Sequence, residues 1–117
     1  MKRLVILAPG SGTNAENIIK YFEKSTTASV TMVLSNKKDA KVLDRANNYG
    51  KSAISFNKTA FSNGHIVELL STLNPDLIVV AGFLWKVPLA LINAFPDKII
   101  NIHPALLPTN GGKGLYG

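Results

Sequence analysis

Two five-residue runs, Leu4-Val5-Ile6-Leu7-Ala8 and Leu77-Ile78-Val79-Val80-Ala81, are apolar at every position. A strand with one wet face alternates polar and apolar residues, whereas a strand with no polar position is buried on both faces. Strands of that kind belong to parallel sheets covered by helices on both sides. Val30 to Leu34, Ser52 to Phe56 and Ile99 to Ile102 read as three further strands. The segments between them read as helices. Thr13 or Asn14 caps a helix running to Lys24. Asp39 caps a second, running to Tyr49 and ended by Gly50. A third spans Phe61 to Leu73 and stops at Asn74-Pro75-Asp76. A short fourth spans Val87 to Ala94, with Pro88 in its first turn. Five strands separated by helices make an α/β fold, a doubly wound and mostly parallel sheet with right-handed crossovers. No internal repeat, linker or low-complexity segment interrupts the pattern.

Composition narrows the function classes. The 117 residues fit a single domain, and an apolar content of 46% supplies a core. With no cysteine in the sequence, disulfide frameworks and thiolate metal sites are excluded. His65 and His103 lack metal-ligand spacing, so no metal is expected. The opening Met1-Lys2-Arg3 followed by an apolar run mimics a signal peptide, but Pro9-Gly10 ends the run too early. No segment has the length of a membrane span, and a cytoplasmic protein is expected. The net charge of +6 favours anionic partners. The lysines and arginines are scattered except at Lys37-Lys38, and no basic run is interleaved with aromatics. Small anionic molecules are therefore favoured over nucleic acid. The sequence carries no signal of oligomeric state.

In open parallel sheets, ligands bind outside the carboxyl ends of the strands. Three informative segments fall there. The first is Gly10-Ser11-Gly12-Thr13-Asn14-Ala15, after the first strand. It fits the G-x-G-x-x-G/A dinucleotide pattern, but Leu34-Ser35-Asn36-Lys37 at the end of the second strand offers no acid to hold a ribose. A phosphate site at a helix N-terminus suits the turn better, and an ordinary Gly-rich strand-to-helix turn also accounts for it. Gly111-Gly112-Lys113-Gly114 lacks the earlier glycine and the Ser or Thr of a Walker loop. The second segment is Gly82-Phe83-Leu84-Trp85-Lys86, after the fourth strand. The third is Asn101-Ile102-His103-Pro104, after the fifth. Alternate strand residues point the same way, so Asn101 and His103 can face one site. An Asn can hold a carbonyl oxygen and a His can move a proton near neutral pH, which suits acyl or formyl transfer. The same residues also suit a capped strand end with a hydrogen-bonded His.

Together these motifs resemble the phosphoribosylglycinamide formyltransferases, the folate-dependent enzymes of purine biosynthesis. The resemblance runs from Arg3 to the end. It rests on Gly10-Ser11-Gly12-Thr13-Asn14, Ser35-Asn36-Lys37 with Asp39-Ala40, Asn74-Pro75-Asp76, Ala81-Gly82-Phe83-Leu84 and Asn101-Ile102-His103-Pro104-Ala105-Leu106-Leu107-Pro108. It implies a Rossmann-like formyltransferase fold. It implies that Gly12, Thr13 and Asn14 hold the phosphate of glycinamide ribonucleotide. Leu84, Trp85, Lys86 and Val87, with Asn101, would bind 10-formyltetrahydrofolate, and Asn101 and His103 would be the catalytic pair. Many relatives carry an Arg where Trp85 stands, a folate-contacting Arg near Thr59, and a basic residue and an aromatic where Thr109-Asn110 stand. The family's catalytic Asp falls beyond Gly117, so the expectation is one formyltransferase domain over residues 1–117, truncated at its C-terminus and inactive alone. A formyltransferase acting on another amine, a deformylase, and a non-catalytic nucleotide-binding module are the alternatives.

Overall fold

The computed structural model describes residues 1–8, 13–81 and 87–102. Five strands form one all-parallel sheet: β1 (Lys2–Ala8), β2 (Ala28–Ser35), β3 (Ser52–Ser55), β4 (Leu77–Ala81) and β5 (Ile99–Ile102). Their order across the sheet is β3-β2-β1-β4-β5. The chain therefore winds outward from β1 in one direction, returns past it, and winds outward in the other. The helices follow that path. α1 (Thr13–Phe22) and α2 (Lys41–Asn48) supply Ala15, Ile19, Val42 and Ala46 to a core on one face, against Leu4, Ile6, Val30, Val33 and Val79. α3 (Lys58–Ser62), α4 (His65–Leu73) and α5 (Leu89–Ala94) supply Phe61, Ile66, Leu70 and Leu91 to the other, against Val5, Leu7, Leu34, Ile78 and Val80. Val5, Ile6 and Leu7 are fully buried. Alternate residues of β1 thus serve opposite cores, which is why its sequence has no polar position.

The expected strands are all present; β1 and β2 each begin two residues earlier than the apolar runs, and β3 ends at Ser55. β2 also contains an irregularity: Leu4 pairs with Val30, but Val5 pairs with Met32. Thr31 is the additional residue. A bulge reverses the alternation beyond it, so Val30 and Val33 share one face while Met32 and Leu34 pack on the other.

Four helix boundaries differ from expectation. α1 starts at Thr13, so Thr13 and Asn14 lie in its first turn instead of capping it; it ends at Phe22, where Ser25 N–H bonds back to the Phe22 carbonyl. The cap of α2 is Ala40, not Asp39, and no side chain serves it. The expected helix from Phe61 to Leu73 is two helices. Asn57 Oδ1 accepts the Ala60 N–H at 2.8 Å and starts α3 early. Gly64 at φ +96° then turns the chain, and Asn63 Oδ1 accepts the His65 N–H. α5 starts at Leu89 because Pro88 is its extended N-cap, its carbonyl accepting the Leu91 and Ile92 N–H groups.

The helix stops match expectation in mechanism. Gly50 at φ +73° follows α2, with Gly50 N–H bonded to the Asn47 carbonyl and Lys51 N–H to that of Ala46. This paired arrangement is the Schellman motif, in which glycine avoids the left-handed penalty. Asn74 ends α4 at φ 50°. Beside it, Asp76 pins β4 to β1. Its backbone N–H donates to the Arg3 carbonyl and its carboxylate accepts the Arg3 N–H, both at 2.8 Å. Arg3 Nε donates to the Leu73 carbonyl, closing the end of α4.

Candidate active site at the carboxyl edge of the sheet

Strand order decides where a ligand can sit. β1 and β4 are neighbours, yet β1 leads to a helix on one face and β4 to a helix on the other. The connections diverge there, leaving a crevice at the carboxyl ends of the two strands, the usual ligand position in open α/β sheets. β5 lies beside β4, with Ala81 paired to Ile102. The three segments singled out in the sequence therefore leave the sheet from adjacent strands at one edge.

Of the expected site residues, Thr13, Asn14, Val87 and Asn101 are among the described residues. Gly12, Leu84, Trp85, Lys86 and His103 lie outside them. Thr13 and Asn14 open α1, and Asn14 is half-buried. The first-turn N–H groups of a helix have no intrahelical partner and carry its positive end, so they suit an anion. Val87 is half-buried against the core that contains Leu91 and Phe95. Asn101 is exposed and pairs with Val80, placing it on the α3–α5 face of the sheet. α1 covers the opposite face. The structure thus brings Val87 and Asn101 to one side of the crevice and the start of α1 to the other.

One charge arrangement at this edge was not legible in the sequence. Glu16, in the first turn of α1, places a negative charge close to the anion-binding end of the helix. Arg45 of α2 forms an ion pair with it through Nη1, and the Tyr49 hydroxyl donates to Glu16 Oε2 at 3.2 Å. The pair spans two helices far apart in sequence. Only the tertiary packing of α1 on α2 brings it together, and it offsets the acid that would otherwise oppose an anion. Among the described residues no group of three or more His, Cys, Asp or Glu is positioned to hold a metal ion. No described helix is long and apolar enough to cross a membrane.

Residues 2–116 match the family model described as formyl transferase. This chain belongs to the formyl transferase family. Its relatives within that family include the phosphoribosylglycinamide formyltransferase of Bacillus subtilis, 35% identical over all of this chain and 63% of the relative. The chloroplastic phosphoribosylglycinamide formyltransferase of Arabidopsis thaliana is 36% identical over 99% of this chain and 42% of its own length. Among solved structures, glycinamide ribonucleotide transformylase 1 from Geobacillus kaustophilus aligns with a TM-score of 0.81 at 35% identity, covering 97% of this chain and 64% of that one. The corresponding protein from Symbiobacterium toebii aligns at 0.79 and 28% identity. The chain spans between 42% and 64% of the length of the three relatives first described. The family and the α/β fold that the motifs implied are thereby established for this formyl transferase chain.

Proposed function

We propose that the protein containing this chain transfers the formyl group of 10-formyltetrahydrofolate to the amine of glycinamide ribonucleotide, in the cytoplasm. The observation that carries the reading is the switch point between β1 and β4. An anion-binding helix start and an exposed Asn open onto one crevice from opposite faces, so a phosphorylated amine and a formyl donor can meet between them. Relatives at 35% and 36% identity bearing this activity in their names support it.

The backbone amides of Gly12, Thr13 and Asn14 hold the substrate phosphate at the start of α1. Leu84 to Val87 receive the pterin; the half-burial of Val87 against an apolar core fits that role. The folate supplies an activated formyl group on nitrogen. Asn101 donates a hydrogen bond to the formyl oxygen as the substrate amine attacks the carbon and negative charge develops. His103 takes the proton lost by the amine and returns one to the departing folate nitrogen, as the old C–N bond breaks. No step uses a metal. A dinucleotide reading lacks its acid, since the chain at the end of β2 reads Ser35-Asn36-Lys37.

Formyl transfer by the full-length protein, assayed with and without glycinamide ribonucleotide, tests the reading. Formyl loss that requires the nucleotide and appears on its amine supports it. Folate deformylation independent of the nucleotide would identify a hydrolase instead.

A further inference from the structure

Two features of the sequence have no part in formyl transfer: the Lys37-Lys38 pair and the second histidine, His65. The fold brings Lys38 and His65 to the wall of one cavity of about 590 Å³. The cavity lies where β2 and β3 end and the first turn of α4 begins. Phe56, Ile66 and Leu69 give it an apolar side. Asn36, Ser55 and the two basic side chains give it a polar side, and no Asp or Glu lines it. Its volume falls in the range of roughly 300–1,000 Å³ typical of small-molecule sites. It also sits beyond strand carboxyl ends, where such sites form. β1 separates it from β4, so it is distinct from the crevice described above.

Asn36 adds a second, independent observation. Its Oδ1 is buried and has no hydrogen-bond partner. A buried unpaired acceptor is costly, and native proteins rarely leave one without a use. An occupant that donates a hydrogen bond at that point removes the cost.

We propose that this cavity is a second ligand site, for a small organic carboxylate that carries an apolar ring and a hydroxyl or amino donor. The carboxylate meets Lys38 and His65, both of which can donate to an oxyanion. The ring lies on Phe56, Ile66 and Leu69. The donor reaches Asn36 Oδ1. The assignment does not depend on formyl transfer and stands or falls separately.

The test is a nuclear magnetic resonance titration of the full-length protein with 4-hydroxybenzoate, with benzoate and inorganic phosphate as comparisons. The expected result is saturable shifts at the His65 ring and at the Asn36, Phe56 and Ile66 amides, with phosphate alone binding more weakly. Lys38→Met, a change at an exposed position, should weaken 4-hydroxybenzoate by about tenfold or more, the effect of losing one charged hydrogen bond. Asn36→Leu should abolish the preference for 4-hydroxybenzoate over benzoate. Absence of saturable shifts, equal binding by Lys38→Met, or shifts at Val87 and Asn101 instead of these residues would each overturn the proposal.

Discussion

Asp76 shows how much one side chain can do without being buried. Its carboxyl is held below the ordinary 3.8 chiefly by the Arg3 N–H, with help from the charges of Lys2, Lys98 and the N-terminus against a small desolvation cost. A carboxyl whose folded value is depressed stabilises the fold above its unfolded value and loses that contribution as pH falls through the folded one. Asp76→Asn should therefore lower the melting temperature at pH 6, and the gap to wild type should close as pH drops below 3.8. Melting curves across pH 2–6 check this; a gap that stays constant with pH would remove the electrostatic explanation. The helix stop at Asn74-Pro75-Asp76 was legible because proline restricts the residue before it. The clamp on Arg3 was not, since it joins residues 73 positions apart. The same division runs through the site. Asn101 could be named from its spacing to His103 along a strand, whereas the pairing of Arg45 with Glu16 depends on two helices packing together. Arg45→Met leaves Glu16 uncompensated beside the proposed phosphate site. It should weaken nucleotide binding severalfold, and Glu16→Gln added to it should restore most of the loss. Calorimetric titration of the two variants measures that coupling.

Among the elements, the strands were the most legible because β1 and β4 bury both faces and so lack polar residues. The bulge at Thr31 was hidden. Val30, Met32 and Leu34 read as a plain alternating face, and only pairing with β1 shows the face changing between Val30 and Met32. The break between α3 and α4 had a signal in Asn63-Gly64, but the apolar positions on either side continue a helical period across it. The glycines that end or divide helices carry a measurable conformational load. A Cβ on Gly50 would meet nothing within 4 Å, so its cost is that of the backbone alone. Gly50→Ala should then destabilise by about 1–2 kcal/mol, the usual left-handed penalty. Leu70, fully buried in the α3–α5 core, is the contrasting case. Leu70→Ala should cost about 2–5 kcal/mol through lost transfer energy and a residual cavity. Urea denaturation of both variants compares the two; an equal loss at both positions would contradict the distinction between backbone strain and packing.

At the scale of the whole molecule, the doubly wound topology explains why the candidate site lies where it does. Winding outward from β1 in both directions opens one crevice and leaves β3 and β5 at the edges of the described sheet. β5 is also incompletely covered: Ile100 is 45% exposed on the α1–α2 face, beside Val79 at 5%. The fold class was readable from strand and helix alternation, while the crevice required the strand order, which no local pattern specifies. The central claim is that Asn101 stabilises the developing oxyanion and His103 moves the proton at this edge. Steady-state formyl transfer by the full-length protein, with nucleotide and folate binding measured in parallel, tests it most directly. Asn101→Ala should lower turnover by about 10²–10³ and His103→Ala by about 10²–10⁴, with nucleotide affinity retained and the double variant losing less than the product. Near-normal turnover in His103→Ala or Asn101→Ala, with both substrates still bound, would contradict the account.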